Sequence, residues 1–430
     1  TENTAVGHKA GKFISDGQSN TFVGFEAGEG ITGAKLTGNN NTAVGANAGL
    51  LLQGTAGDNT VVGALAGDAI TTGTRTVALG FKAGSAITTG DSNVAIGWQA
   101  LLTEDAHSNN VAVGASALQT QNAGAHAYNV AVGFEAGKVV TIGEQNTLVG
   151  ALAGDALNSS EKNVAVGYLA LSAEDSHGQN TAVGWSALAV QNAGQIGYNT
   201  AVGYNAGAAV STGIQNTLIG ANAGANINVG DFNTVVGSAA ADDMQNASNN
   251  TVVGYNALAS GNTAGEVVNN NTAIGYSSGA SVTSGDNNVF LGSQAGNGTS
   301  PGGAISTGSN TITLGDNSID TANVKVDWTI PSDQRDKTDF TALNIGLDFV
   351  KALNPVTYKW DQRSDYGDKD ADDWSQLDQT PDGTHKKDWL DLGFKAQEVE
   401  ALEIAAGYNK ANKTNLTVSL NPDGEQYGMK

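Results

Sequence analysis

Two short stretches carry side chains that could hold a cation. "TEDAHSNN" (103–110) and "AEDSHGQN" (173–180) align Glu104 with Glu174, Asp105 with Asp175 and His107 with His177. Carboxylates beside an imidazole are a plausible ligand set for a divalent metal. The third copy, "DDMQNASNN" (242–250), has no His, so an inherited surface loop is the expected reading, with no metal and no cofactor. A different cluster stands in "PSDQRDKTDF" (331–340), where Ser, Asp, Gln, Arg, Asp and Lys crowd together after some three hundred residues of low charge density. Taken alone, it is a solvated charged turn in which Ser332 caps a following helix. Isolated GxG patterns are not dinucleotide fingerprints here, because no long helix follows them.

The elements that would position these groups come from a repeat. A unit close to "NTAVGxxAG" recurs with its central Gly at 7, 24, 45, 63, 80, 97, 114, 133, 150, 167, 184, 203, 220, 237, 254, 275, 292 and 315, which makes 18 units with 17 residues as the commonest step. Gly97, Gly167 and Gly237 are 70 residues apart, as are Gly114, Gly184 and Gly254, so four units form a duplicated block. A 17-residue unit is too short for a helical-hairpin repeat. Short β-branched runs closed by Gly are strand and turn chemistry. The expected structure is a β-solenoid with two or three short strands per coil, and about 18 coils at ~4.8 Å give a rod of roughly 85 Å. No Pro precedes Pro301, as stacked strands require.

Each consensus position has an expected role. Asn41, Asn59, Asn146 and Asn199 are placed to stack as an amide ladder. The Gly allows a corner with φ above zero or close backbone approach. The Val or Ile before it is expected to fill the interior, and the Ala beyond it to fit a narrow space. So thin a coil suggests that chains pack on one another, a homotrimer being the natural closed solution. The residue after the Gly is aromatic in nine units: Phe25, Phe81, Trp98, Phe134, Tyr168, Trp185, Tyr204, Tyr255 and Tyr276. These rings are either sugar-stacking platforms or a packing ladder, the ladder being expected.

Composition excludes several classes. There is no Cys, so disulfides and thiol chemistry are absent, and no run of 18 apolar residues could insert in a membrane. The net charge is −22. Residues 1–330 hold 8 Lys+Arg against 23 Asp+Glu, net −15, and residues 331–430 hold 12 against 19, net −7. No Lys or Arg occurs between Asn163 and Val324. A surface without cations cannot neutralise phosphates, so nucleic acid is not an expected partner.

After Gly315 the periodicity stops. "LNIGLDFVKALN" (343–354) has helical spacing and is ended by Pro355, "VTYKW" (356–360) alternates as a strand, an acidic loop spans 361–388, and "LDLGFKAQEVEAL" (390–402) reads as strand then helix. This is a small α+β domain. The ordered series "NTITLGDNSIDTANVKV…PSDQRDKTDF…LDFVKALNPVTYKW…LGFKAQEVEAL…EQYGMK", over about 310–430, closely resembles the endosialidase-type intramolecular chaperone of phage tail fibres and tailspikes. The "NTAVGxxAG" units resemble tail-fibre shafts and, more distantly, the heads of trimeric autotransporter adhesins.

The resemblance implies a module that trimerises, drives folding of the fibre ahead of it and cuts itself off. Its Ser-Asp-x-Arg-x-Lys motif maps onto Ser332, Asp333, Arg335 and Lys337, with Ser332 as nucleophile, Lys337 as base and the cut at Pro331–Ser332. A Ser hydroxyl needs a base to become nucleophilic, and Ser-Lys pairs serve this role. A Lys acts as base when desolvation or a neighbouring cation lowers its pKa, and Arg335 is such a cation. The scissile carbonyl belongs to a proline, whose backbone is restricted.

The sequence thus predicts an all-β repeat rod (1–315), a connector (316–331) and a small α+β chaperone domain (332–430) expected to lack its C-terminal helices. It predicts a homotrimeric tail-fibre protein of the virion, with other tail or baseplate proteins and a host surface receptor, glycan included, as partners. The only enzymatic activity expected is a single self-cleavage. The alternative is a bacterial cell-surface adhesin or extracellular filament built from the same repeat. A glycan-cleaving enzyme is disfavoured, since near-identical coils leave no separate catalytic domain and no carboxylate pair stands out.

Overall fold

The computed structural model describes residues 2–124, 126–259, 268–319, 322, 345–367 and 379–408, and the backbone of 418–420 and 427–429. The repeat folds as a β-solenoid. Eighteen three-residue strands, from β1 (Thr4–Val6) to β18 (Ile312–Leu314), stack in parallel in the order of the chain. Equivalent residues pair in register, as in Thr181 with Thr200, Ala182 with Ala201 and Val183 with Val202. Each coil contributes one strand, not the two or three expected. The rest of the coil is a series of tight turns that still bond coil to coil, as from the Gly67 N–H to the Ala83 carbonyl at 2.9 Å.

A single chain encloses its own core, so the thinness of the coil does not by itself require a partner. The Val or Ile before the Gly does not fill it, contrary to expectation. Successive strand residues point to opposite sides, and it is the middle one that is buried: Phe22, Ala43, Val61, Ala165, Leu218 and Phe290 are fully inside. The third residue faces outward and is partly or well exposed, as at Val132, Val202, Ile219 and Leu291.

The Gly corner is fixed by two constraints at once. Gly150 has φ of 135°, and a Cβ there would lie 2.5 Å from the carbonyl oxygen of Gly167 in the next coil. Three residues on, an Ala such as Ala83, Ala153 or Ala223 is fully buried. The fourth residue is again left-handed and the seventh turns inward. Where the fourth is Gly (Gly67, Gly84, Gly154, Gly224), the seventh is a buried Ile or Leu (Ile70, Ile87, Leu157, Ile227). The two positions share one space, since a Cβ on Gly67 would sit 2.7 Å from Ile70 Cδ1.

The amide ladder forms as expected and is longer than the four residues singled out. The Asn163 backbone N–H donates to Asn146 Oδ1 at 3.0 Å, and the Asn146 amide donates to the Ser160 carbonyl at 2.9 Å. Equivalent bonds run from Asn20 to Asn288, with Thr76 in one coil. Each buried amide therefore satisfies backbone groups that water cannot reach.

The C-terminal residues form a small α+β unit. Helix α1 (Leu347–Ala352) is shorter than the 343–354 expected, because Leu353 is already extended ahead of Pro355. Strand β19 (Val356–Tyr358) pairs antiparallel with β20 (Asp391–Gly393), and helix α2 (Ala396–Ala405) follows. A further antiparallel pair joins β21 (Val418–Leu420) to β22 (Tyr427–Met429), next to α2. No helix among the described residues is long and apolar enough to cross a membrane.

Removing one rung tests the ladder. In Asn146→Ala the Asn163 N–H and the Ser160 carbonyl lose their buried partners, at about 1–3 kcal/mol each. The expected outcome is a clear drop in the thermal midpoint of the shaft, followed by circular dichroism, with an unchanged midpoint counting against a structural ladder.

Candidate functional site

The outer face of the strands carries the first candidate surface. The nine aromatic residues are 43–56% exposed and lie beside the outward Val, Ile and Leu of the strands. They stack in most places where consecutive coils both carry a ring, the neighbours Phe81 and Trp98 being the exception. Trp185 lies 5.0 Å from Tyr204 at 10° and 6.2 Å from Tyr168 at 23°, and Tyr255 lies 5.8 Å from Tyr276. His8 stacks on Phe25 in the same way. Where the residue is Ala, as at Ala46, Ala64 and Ala151, the row is interrupted. Six of the nine rings therefore pack on a ring of a neighbouring coil, as the ladder reading expects, while Phe81, Trp98 and Phe134 do not, and each of the nine keeps about half of its surface free.

The second candidate is the pair of His-bearing loops. Their Glu residues are not on the surface. Glu104 and Glu174 are fully buried, seven residues after Gly97 and Gly167, at the inward position that Ile70 and Leu157 hold in other coils. The fourth residue in these coils is a buried leucine, Leu101 or Leu171, held at φ of 50° and 52°. A left-handed leucine is unfavourable by about 1–2 kcal/mol, and its side chain fills the room the seventh residue has elsewhere. Gln121 and Gln191 hold the same inward position behind Leu118 and Leu188. The sequence signal was present, since the register from the repeat Gly marks the position. It became readable only once the path of the coil was known.

The two loops differ in detail. Glu104 is fully engaged: its Oε1 accepts from the His107 N–H at 3.1 Å and lies 2.8 Å from His107 Nδ1, and its Oε2 accepts from the Asn110 amide at 3.3 Å. Glu174 Oε1 accepts from the His177 N–H at 3.0 Å, but His177 Nδ1 is 4.0 Å away, too far for a hydrogen bond. Glu174 Oε2, His177 Nδ1 and Asn180 Nδ2 are buried without partners. Burial pushes Glu174 up from 4.5 to about 7, opposed by the His177 N–H and reinforced by the Asp175 carboxylate. Burial raises Glu104 too, with the His107 hydrogen bond opposing it.

The third candidate is the small domain. Ser332, Asp333, Arg335, Lys337 and the junction Pro331–Ser332 lie outside the described residues. The described part of the domain leaves many of its large apolar side chains in solvent: Leu347, Val350, Trp360, Trp389, Leu390, Leu392, Phe394 and Ile404 are exposed. Among its described residues only Val399 and Glu403 are buried. Between the end of α1 and α2 lies a cleft of about 210 Å³, lined by Leu353, Phe394, Val399 and Leu402.

The raised Glu174 has a consequence for stability. Between pH 4.5 and about 7 the folded chain holds a proton that the unfolded chain has released. Stability therefore falls as pH rises through that window. Glu174→Gln, in chelating buffer, is expected to raise the thermal midpoint at pH 8 and leave it little changed at pH 4, on the order of 1–3 kcal/mol at the higher pH. An equal effect at both values would contradict a protonated interior carboxyl.

Comparison with known proteins bears on the small domain. Residues 332–408 match the family model described as chaperone of endosialidase. No curated protein gives a significant match to the chain. The chain thus joins a long β-solenoid of eighteen stacked coils to a segment, residues 332–408, that matches the chaperone-of-endosialidase family model.

Proposed function

We propose that this chain is the subunit of a homotrimeric phage tail fibre. Its C-terminal domain would act as an intramolecular chaperone that sets the trimer and then cuts itself free. The observation that carries this reading is the family match over 332–408 following a shaft of eighteen coils. Three chains with near-identical coils can associate one coil out of step at small cost, the failure expected of weakly specified register. A trimerising template outside the repeat removes that ambiguity.

Two surfaces support association. The described part of the small domain exposes many of its large apolar residues, which marks an interaction surface. The shaft presents a continuous stripe of outward Val, Ile and Leu beside the aromatic row. The shaft would project from the tail and serve attachment to a host surface, with baseplate or other tail proteins at its base.

The self-cleavage is assigned to Ser332 and Lys337. Ser332 Oγ, relieved of its proton by a neutral Lys337 amine, attacks the Pro331 carbonyl carbon. The amide nitrogen leaves as the Ser332 amine, taking the proton back from the Lys337 ammonium, and water then hydrolyses the resulting ester to free the Pro331 carboxylate and restore the Ser332 hydroxyl. Asp333 and Arg335 lie between the two in sequence, and the Arg335 charge would favour the neutral form of Lys337.

Full-length chain expressed beside Ser332→Ala and Lys337→Ala tests this on a denaturing gel. Two bands in the parent and one in each variant are expected, with a trimer by sedimentation in all three. One band throughout would remove the self-cleavage and leave the trimer; a monomer throughout would remove the fibre.

A further inference from the structure

The sequence favoured an inert surface loop at 173–180, and the structure gives that loop a different character. Glu174 projects inward with its side chain at 0% exposure, and its Oε2 meets no donor. His177 Nδ1 is also buried and unpartnered. Asp175, at the surface, brings a second carboxylate, and one ligand atom from each of the three residues lies within 4.8 Å of the others.

We propose that Glu174, Asp175 and His177 form a binding site for a zinc-class divalent cation on the shaft. An imidazole nitrogen with two carboxylate oxygens is a zinc-type donor set, whereas calcium and magnesium take oxygen ligands. Zinc ligands at ~2.0–2.2 Å stand roughly 3.5 Å apart around the ion, a closure that side-chain rotation can supply. Water completes the coordination on the exposed Asp175 side. The cation would satisfy both orphaned atoms.

The backbone of the loop is held ready. The Asn158 and Ser159 N–H groups donate to the Asp175 carbonyl at 2.7 and 3.0 Å. Ser160 Oγ donates to the His177 carbonyl, and the Gln179 N–H donates to Glu161 at 3.0 Å. The loop 70 residues earlier is the internal contrast: His107 has closed on Glu104 and Asn110 has taken the other oxygen, so no buried pair is left open there.

Calorimetric titration of zinc chloride into chelator-treated full-length chain tests the site. One tight site per chain is expected. His177→Ala and Glu174→Gln should each weaken it at least about tenfold, while Glu104→Gln and His107→Ala should not. Gln already holds the same coil position at Gln121 and Gln191, so Glu174→Gln keeps a side chain this interior accepts. Cobalt chloride in place of zinc should give a visible absorption band that His177→Ala abolishes. The proposal fails if no tight site is found, if binding survives His177→Ala, or if His107→Ala weakens it equally.

Discussion

Every feature of the shaft follows from one constraint: each coil must bond to the next along the whole of its path, at one strand spacing. Three-residue strands are too short to be stable singly, and their stability comes from in-register stacking on both sides. Close stacking leaves no room for a Cβ at the corner, where a carbonyl oxygen of the following coil already sits. It also buries the backbone ahead of each strand, which is why an Asn stands there in most coils and feeds both a donor and an acceptor to its neighbours.

Within that frame the interior has a fixed volume, and the sequence fills it mainly in two ways, the coil with Ala241 and a buried Met244 being a third. A Gly at the fourth position leaves space for Ile or Leu at the seventh. A leucine at the fourth position takes the space, accepts a left-handed backbone, and leaves a polar residue at the seventh. The second solution places Glu104, Gln121, Glu174 and Gln191 inside the rod, where each polar atom left without a partner carries a desolvation cost. The unusual electrostatics of the 174 loop are thus a by-product of packing.

The shaft and the small domain solve burial differently. The shaft closes its own core in one chain and offers a stripe to the outside. The described part of the domain leaves many of its large apolar residues exposed, and a surface of that kind is suited to association.

The sequence by itself determined the number of coils, the amide ladder and the glycine corners, because these depend on interactions that repeat at a fixed spacing and admit few residue types. It also marked the α+β character of the C-terminal residues and the segment that matches the chaperone family. It did not determine which strand residue faces inward. In "TAV" or "VAV" both the second and third residues are apolar, and only the direction of the neighbouring turns selects the middle one. Nor did it show that Glu174 is interior. Among exposed-looking "AEDSHGQN" residues, burial depends on the register from Gly167 and on Leu171 occupying the adjoining space. Such facts belong to the tertiary structure, because the volume available to one side chain is set by another several residues away along a path that the sequence does not display.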